Sequence, residues 1–185
     1  DLAKCMKKLR QFHEMKLKVN HRFDVFKQIE FYESLWNGQL SVYRDYKKTK
    51  EQVFSLQSYI EKYKEEEVLT HIDAVPDNFL FTTDADGNED IRLIDWEYAG
   101  MCDPLIDLSM CAIYSYYDEA ATEKLMQIYF GREPETKERK IVYSYIALGG
   151  FLWALWAVYK ASLGEEFGEY TLIMYRYAKT YYKKV

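Results

Sequence analysis

Proline and glycine are scarce, with 3 and 8 in 185 residues. A loop-rich or all-β fold leans on both residue types, so their scarcity excludes it and favours long helices. Cysteine is too sparse for a disulfide framework. Cys5, Cys102 and Cys111 form no CxxC pair and no zinc-ligand spacing, and an odd, small set points to a reducing, cytoplasmic compartment. Basic charge is not in excess. Lys and Arg number 25 against 30 Asp and Glu, a net charge of −5, which argues against a nucleic-acid surface. The opening Asp1-Leu-Ala-Lys-Cys-Met-Lys-Lys has no apolar core of the kind a signal peptide needs. It also lacks an initiator methionine, from which the chain is expected to be a piece of a longer polypeptide.

What the chain does have is core material. Hydrophobic residues make up 49% and charged residues 30%, which excludes a disordered chain. Aromatics reach 17%, with 18 Tyr, 10 Phe and 4 Trp. Most must be core, but so many rings also permit an aromatic-lined pocket. One apolar run, residues 141–159, approaches the length of a membrane span. It holds Ser144 and the pair Gly149-Gly150, and its rings are scattered rather than gathered at two interfaces. A buried core helix is the favoured reading, and no membrane insertion is expected.

There are no repeats and no convincing linker, so one domain is expected over residues 1–185. Leu2, Met6, Leu9 and Phe12 recur at helical spacing, which opens the chain in a helix ending near His13. Residues 24–36 read as a helix closed by Asn37-Gly38, and 42–66 as one long helix. The period then shortens. Asn78-Phe-Leu-Phe and Ile91-Arg-Leu-Ile are short strand-like runs, separated by a segment with Asp86-Gly87 turn chemistry. They predict one small β-hairpin. Helices resume over about 104–116, 119–130, 136–162 and 167–183, with Gly131 and Gly164 as stops. The fold class is therefore α+β, predominantly helical.

The chemistry concentrates in His71-Ile-Asp73-Ala-Val-Pro-Asp-Asn78 and, beyond the hairpin, Leu93-Ile-Asp95-Trp-Glu-Tyr98. Phosphoryl transfer needs a carboxylate beside the attacking hydroxyl and oxygen ligands that hold Mg²⁺ on the nucleotide phosphates. Asp and Asn five residues apart in one loop, with a second Asp returned by a hairpin, suit that need. H-x-D-x-x-x-x-N is the kinase catalytic-loop pattern. Asp103-Pro-Leu-Ile-Asp107-Leu then opens a helix. Taken singly, each of these residues could be an ordinary turn-former; the ordered set is what points to a kinase.

These stretches resemble the C-terminal, helical lobe of the choline/ethanolamine kinase and aminoglycoside phosphotransferase superfamily, a protein-kinase-like fold. The likeness is greatest to bacterial choline kinases, covers nearly the whole chain, and extends to the early Leu9-Arg-Gln-Phe-His13. It implies a catalytic loop at 71–78, a metal-binding Asp after a hairpin at 79–95, and a helical substrate-binding region at 104–185. It implies Asp73 as catalytic base, Asn78 and Asp95 as Mg²⁺ ligands, and ATP as co-substrate. His71 would brace the catalytic loop and Asp107 would stabilise it from the following helix. Asp95-Trp96-Glu97 stands where protein kinases have Asp-Phe-Gly, and no activation segment with a phosphosite follows.

A second stretch is Phe151-Leu-Trp153-Ala-Leu-Trp156. Residues i and i+3 share a helix face, and a quaternary ammonium, which cannot donate a hydrogen bond, is held by ring faces at about 0.5–2 kcal/mol per ring. Such a Trp pair is often plain core. Beside the catalytic motif, the resemblance implies that Trp153, Trp156 and Tyr98 surround choline, with Tyr114, Tyr117 and Tyr170 as further pocket residues. A glycine loop over the phosphates and a strand lysine, which the family carries in an N-terminal lobe, do not occur here. The missing lobe predicts that this piece alone transfers phosphate poorly or not at all.

The leading expectation is thus a choline kinase acting on a small-molecule substrate. Ethanolamine or aminoglycoside phosphotransferase keeps the chemistry and changes the acceptor. A non-catalytic, pseudokinase-like binding module is the alternative of another class, and a membrane-associated helical protein built on 141–159 is a lesser one.

Overall fold

The apolar spacing at the start of the chain becomes helix α1, Leu2–Glu14, which buries Cys5, Met6, Leu9 and His13 along one stripe. The computed structural model describes residues 1–36, 41–83 and 85–185. It forms two units, one of residues 1–23 and 65–139, the other of 24–64 and 140–185. The expected helix stop at Asn37-Gly38 lies outside the described residues.

In the first unit, strand β1 (Val68–Thr70) leads to the loop that carries Asp73. The expected hairpin follows as β2 (Phe79–Thr83) and β3 (Glu89–Leu93), paired antiparallel from Phe79↔Leu93 to Thr83↔Glu89. A second two-stranded sheet adds to it, in which β1 pairs antiparallel with β4 (Gly100–Cys102), with Val68 opposite Cys102. Each of these strands has three residues, too few for a period to show, so the local pattern could not reveal them. Gly100 is required where it stands. A Cβ there would lie 2.8 Å from the Phe23 backbone nitrogen, on the segment that bonds Met101 through Phe23 N–H to Met101 O at 3.1 Å. Helix α5 (Leu105–Tyr114) is buried along Leu105 to Ile113. It ends two residues sooner than expected, as Tyr116 takes φ 53. Helix α6 (Glu119–Phe130) is capped by the Asp118 side chain, which accepts from Ala121 N–H at 2.8 Å, and it stops at Gly131 with φ 68. All three cysteines are free and buried. Burial pushes the Cys111 thiol up to about 12 and raises Cys5 and Cys102 as well.

The second unit holds α2 (Val25–Ser34), whose N-cap Asp24 accepts from Phe26 and Lys27 N–H. The single helix expected over 42–66 is two helices, α3 (Tyr46–Ser55) and α4 (Gln57–Tyr63). The ladder tightens between them, with Leu56 N–H bonding Val53 O at 3.2 Å and the Ser55 hydroxyl bonding back to Gln52 O. A serine that competes for the backbone in this way bends or ends a helix. Residues 140–162 of α7 (Thr136–Ser162) belong to this unit, and the stretch from Ile141 to Leu155 forms its core. This helix is long and apolar enough to cross a membrane by length and composition, yet 89% of its apolar window is buried within the fold. Helix α8 (Tyr170–Tyr182) packs on α7 at Gly150, where a Cβ would sit 2.6 Å from Met174 O. It begins three residues later than expected because Gly168 adopts φ 53, outside the helical region.

Candidate active site

The loop after β1 is held from below by one carboxylate. Asp107 stands in the first turn of α5 and is fully buried. Its Oδ2 accepts from His71 N–H at 2.9 Å and its Oδ1 from Ile72 N–H at 2.7 Å. Oδ2 also accepts from His13 Nε2 at 2.9 Å. With that proton on Nε2, His13 Nδ1 accepts from the Tyr129 hydroxyl at 2.8 Å. Helices α1, α5 and α6 thus converge on the backbone of residues 71 and 72. Those bonds hold Ile72 at φ 68, a left-handed conformation that a β-branched residue rarely takes.

This backbone turn delivers Asp73. Two residues on, Val75 N–H bonds Asp73 O at 2.7 Å, and a short 3-10 turn (Pro76–Asn78) returns Asn78 beside it. The Asn78 amide nitrogen donates to Asp73 O and to Asp73 Oδ2, both at 2.9 Å. These bonds use the nitrogen and leave the Asn78 carbonyl oxygen as a donor to a cation. Asp95 stands two residues past the end of β3, with φ 64. Its neighbour Ile94 is tied to both ends of the loop, since Ile94 N–H bonds Asn78 O at 3.1 Å and His71 Nε2 donates to Ile94 O at 2.8 Å.

Burial pushes the Asp73 carboxyl above the ordinary carboxylate range. The Asn78 hydrogen bond and the His71 ring pull it back, and the nearby charges of Asp95 and Glu97 push it up again. Asp73, Asn78 and Asp95 therefore share one corner of the first unit, and Asp73 feels the charge of Asp95. Oxygen donors of this kind suit Mg²⁺, which takes one or two carboxylates and completes its shell with water and phosphate. Among the described residues no three His, Cys, Asp or Glu side chains gather as a protein-only cage. A neutral amide and one exposed carboxylate fit an ion that shares its shell with a nucleotide.

Tyr98 follows in the turn that leads to β4, half-buried. Tyr114 and Tyr117 are half-buried at the far end of α5, seven or more residues from Asp107, which is about 10 Å along a helix. Trp153, Trp156 and Tyr170 belong to the second unit. Trp153 is 2% exposed and meets Trp156 edge-on at 6.0 Å between ring centroids. Trp156 is half-buried and lies 6.4 Å from Tyr170. The two indoles expected on one helix face thus form one cluster with Tyr170.

Sequence reasoning did not find several participants. Phe167 packs 5.0 Å from Trp156 and 6.1 Å from Tyr170, a fourth ring of that cluster. Trp96 covers the His71 ring at 4.6 Å and meets Phe12 edge-on at 5.1 Å. His13 and Tyr129 carry the buried chain to Asp107. Only spatial adjacency reveals them, because His13 and Asp107 are 94 positions apart. His71 Nδ1 is buried without a hydrogen-bond partner among the described residues.

The profile of the phosphotransferase enzyme family (APH) matches residues 1–139. Protein LicA of Haemophilus influenzae is 28% identical over 179 residues, which are 92% of this chain and 65% of that protein. The crystal structure of choline kinase LicA from Streptococcus pneumoniae superposes with a TM-score of 0.81 at 28% identity, covering 100% of this chain and 63% of the other. A choline/ethanolamine kinase family protein from Mesorhizobium loti superposes at 0.82 with 25% identity, covering 97% and 60%. The chain spans less than two thirds of the length of each of these proteins.

Proposed function

The chain belongs to the phosphotransferase enzyme family, and from that premise we propose that it carries the catalytic and acceptor-binding residues of an ATP-dependent choline kinase. In this reading Asp73 is the base. Its carboxylate orients the acceptor hydroxyl and takes its proton while that oxygen bonds to the γ-phosphorus. The bond from phosphorus to the β–γ bridging oxygen breaks, leaving phosphocholine and ADP. Asn78 and Asp95 would hold Mg²⁺, which when bound neutralises charge on the phosphates. His71 braces the loop through Ile94, and Asp107 fixes its backbone.

The observation that carries the proposal is the Asp73–Asn78 pair at 2.9 Å with Asp95 close enough to raise the Asp73 pKa. An elevated carboxylate pKa suits a general base, because the basicity of the group rises with it. The ring cluster supports choline as the acceptor. Trp153, Trp156 and Tyr170 would bind the ammonium through ring faces, while Tyr98, Tyr114 and Tyr117 belong to the other unit. Ethanolamine and aminoglycosides remain the alternative acceptors, favoured by amine hydrogen bonds rather than rings.

The test uses the chain preceded by the nucleotide-covering lobe of a related kinase. Formation of phosphocholine from ATP, lost in Asp73→Asn, is the expected result. A parent with no turnover on choline, ethanolamine or an aminoglycoside would favour a non-catalytic binding module. Faster turnover of ethanolamine than of choline would reject the quaternary-ammonium specificity while keeping the kinase.

A further inference from the structure

The ring cluster of the second unit already has a cation on it. Lys160 lies one turn beyond Trp156 on α7, and its ammonium sits over the Trp156 ring, 5.8 Å from the centroid. That is within the range at which a ring quadrupole attracts a positive charge. The ammonium is also held by Glu165 Oε1 at 2.9 Å.

The position of Glu165 is built into the backbone. Helix α7 stops at Gly164, whose φ of 93 is open to glycine and strained for other residues. Past it the chain doubles back. Glu165 N–H bonds Lys160 O at 3.2 Å, and Leu163 N–H bonds the same carbonyl at 2.9 Å. This is the reverse turn with which helices often end on glycine. It ties Glu165 to Lys160 twice, once through backbone and once through side chain. Two residues later the same turn lays Phe167 on Trp156. The loop that completes the ring cluster therefore also latches a cation against it.

We propose that Lys160 is a resident cation of the ring cluster, latched by Glu165 over the Trp156 face, and that a ligand ammonium must displace it to bind. The inference rests on the ammonium-binding reading of that cluster and adds a specificity device to it. Two positive charges cannot share one ring face without repulsion, so Lys160 has to swing outward as the ligand enters. Its side chain is one-third exposed and Glu165 half exposed, so the way to solvent is open. Once Lys160 leaves, the Glu165 carboxylate faces the incoming ammonium and balances its charge. Lys160 thereby disfavours weakly bound cations, and only a ligand that fills several ring faces at once gains enough to take its place.

Choline chloride and tetramethylammonium chloride are titrated into the chain at constant ionic strength, with calorimetry and tryptophan fluorescence as readouts. Lys160→Met keeps the aliphatic stem and removes the charge, and it should tighten both ligands about 3–10-fold. Lys160→Gln checks that result independently, should the methionine variant fold poorly. Lys160→Arg keeps the charge and should bind no tighter than the parent. In the Lys160→Met background, Glu165→Gln should weaken binding several-fold, since the carboxylate then has only the ligand to neutralise. Unchanged or weaker binding in folded Lys160→Met and Lys160→Gln overturns the displacement proposal and leaves the ring cluster as the ammonium site. Absence of binding in the parent and in every variant overturns the ring-cluster reading itself, and this proposal with it.

Discussion

Replacing Asp107 by Asn is the sharpest perturbation the structure offers, because it changes one charge and almost no volume. The carboxylate accepts three hydrogen bonds in a fully buried position, two on Oδ2 and one on Oδ1. An Asn amide has one oxygen. In its better orientation that oxygen replaces Oδ2, and the amide NH₂ then points at Ile72 N–H, donor against donor. One buried backbone donor is orphaned, at about 1–3 kcal/mol. The two surviving bonds lose their charge assistance, at about 1 kcal/mol each from the gap between charged and neutral hydrogen bonds. The sum is about 3–5 kcal/mol, a large part of the roughly 5–15 kcal/mol that holds a domain folded. The loss lands on the loop that holds Ile72 in its left-handed conformation. Urea denaturation followed by circular dichroism measures it. Asp118→Asn is the matched control, since an exposed N-cap exchanges Asp for Asn at little cost. A loss below about 1 kcal/mol in Asp107→Asn, or one equal to the Asp118 control, would refute the claim that this carboxylate fixes the loop.

Asp73→Asn should abolish turnover in the lobe-completed protein by at least about 100-fold, while leaving melting temperature at pH 7 unchanged or higher. The sign follows from burial. Asp73 has a folded pKa above its unfolded value, so its ionised form opposes folding, an effect present above the folded pKa and relieved as pH falls through it; a large fall in melting temperature would contradict this. For the same reason the acidic limb of the turnover profile should lie above the ordinary carboxylate range, and a limb at or below that range would speak against Asp73 as base. Gly150→Ala should destabilise by about 1–3 kcal/mol despite the better helix propensity of alanine, because the new Cβ meets Met174 O at 2.6 Å; a stabilised variant in thermal melts would show the α7–α8 contact to be looser than described. Trp156→Leu should weaken choline binding about 2–30-fold, the loss of one ring face at about 0.5–2 kcal/mol, and calorimetry showing no change would remove that ring from the ammonium site.

How much could be read in advance depended on how far apart the partners lie in sequence. Helix α6 was legible to the residue because Asp118 and Gly131 mark its ends locally. The β2–β3 hairpin was legible because its strands face each other across one turn. Strands β1 and β4 were not, since each is three residues long and its partner lies about thirty residues away. The break at Leu56 was hidden for another reason, as apolar spacing continues through it and only the backbone tightens. At the site, Asp73 and Asn78 could be paired on paper because one loop carries both. The contacts of His13, Tyr129 and Trp96 could not, because their neighbours come from other elements; His13 stood out only within the Leu9–His13 likeness, with no partner assigned to it. The contact of Phe167 with Trp156 could not be read, because it is the glycine-ended turn that folds this ring back.

The burial of the three thiols has a practical corollary. Cys5, Cys102 and Cys111 all belong to residues 1–23 and 65–139, whereas Trp36, Trp153 and Trp156 belong to the other group, with Trp96 as the fourth indole. Thiols kept protonated and covered react with a maleimide only when their surroundings open. Trp96 sits in the thiol-bearing group, so with Trp96 replaced by Phe, alkylation rates and indole fluorescence are separate clocks for the two halves of the chain. If both run at one rate across a denaturant series, the halves melt as a single cooperative block; if they diverge, the polypeptide contains two independently fluctuating pieces.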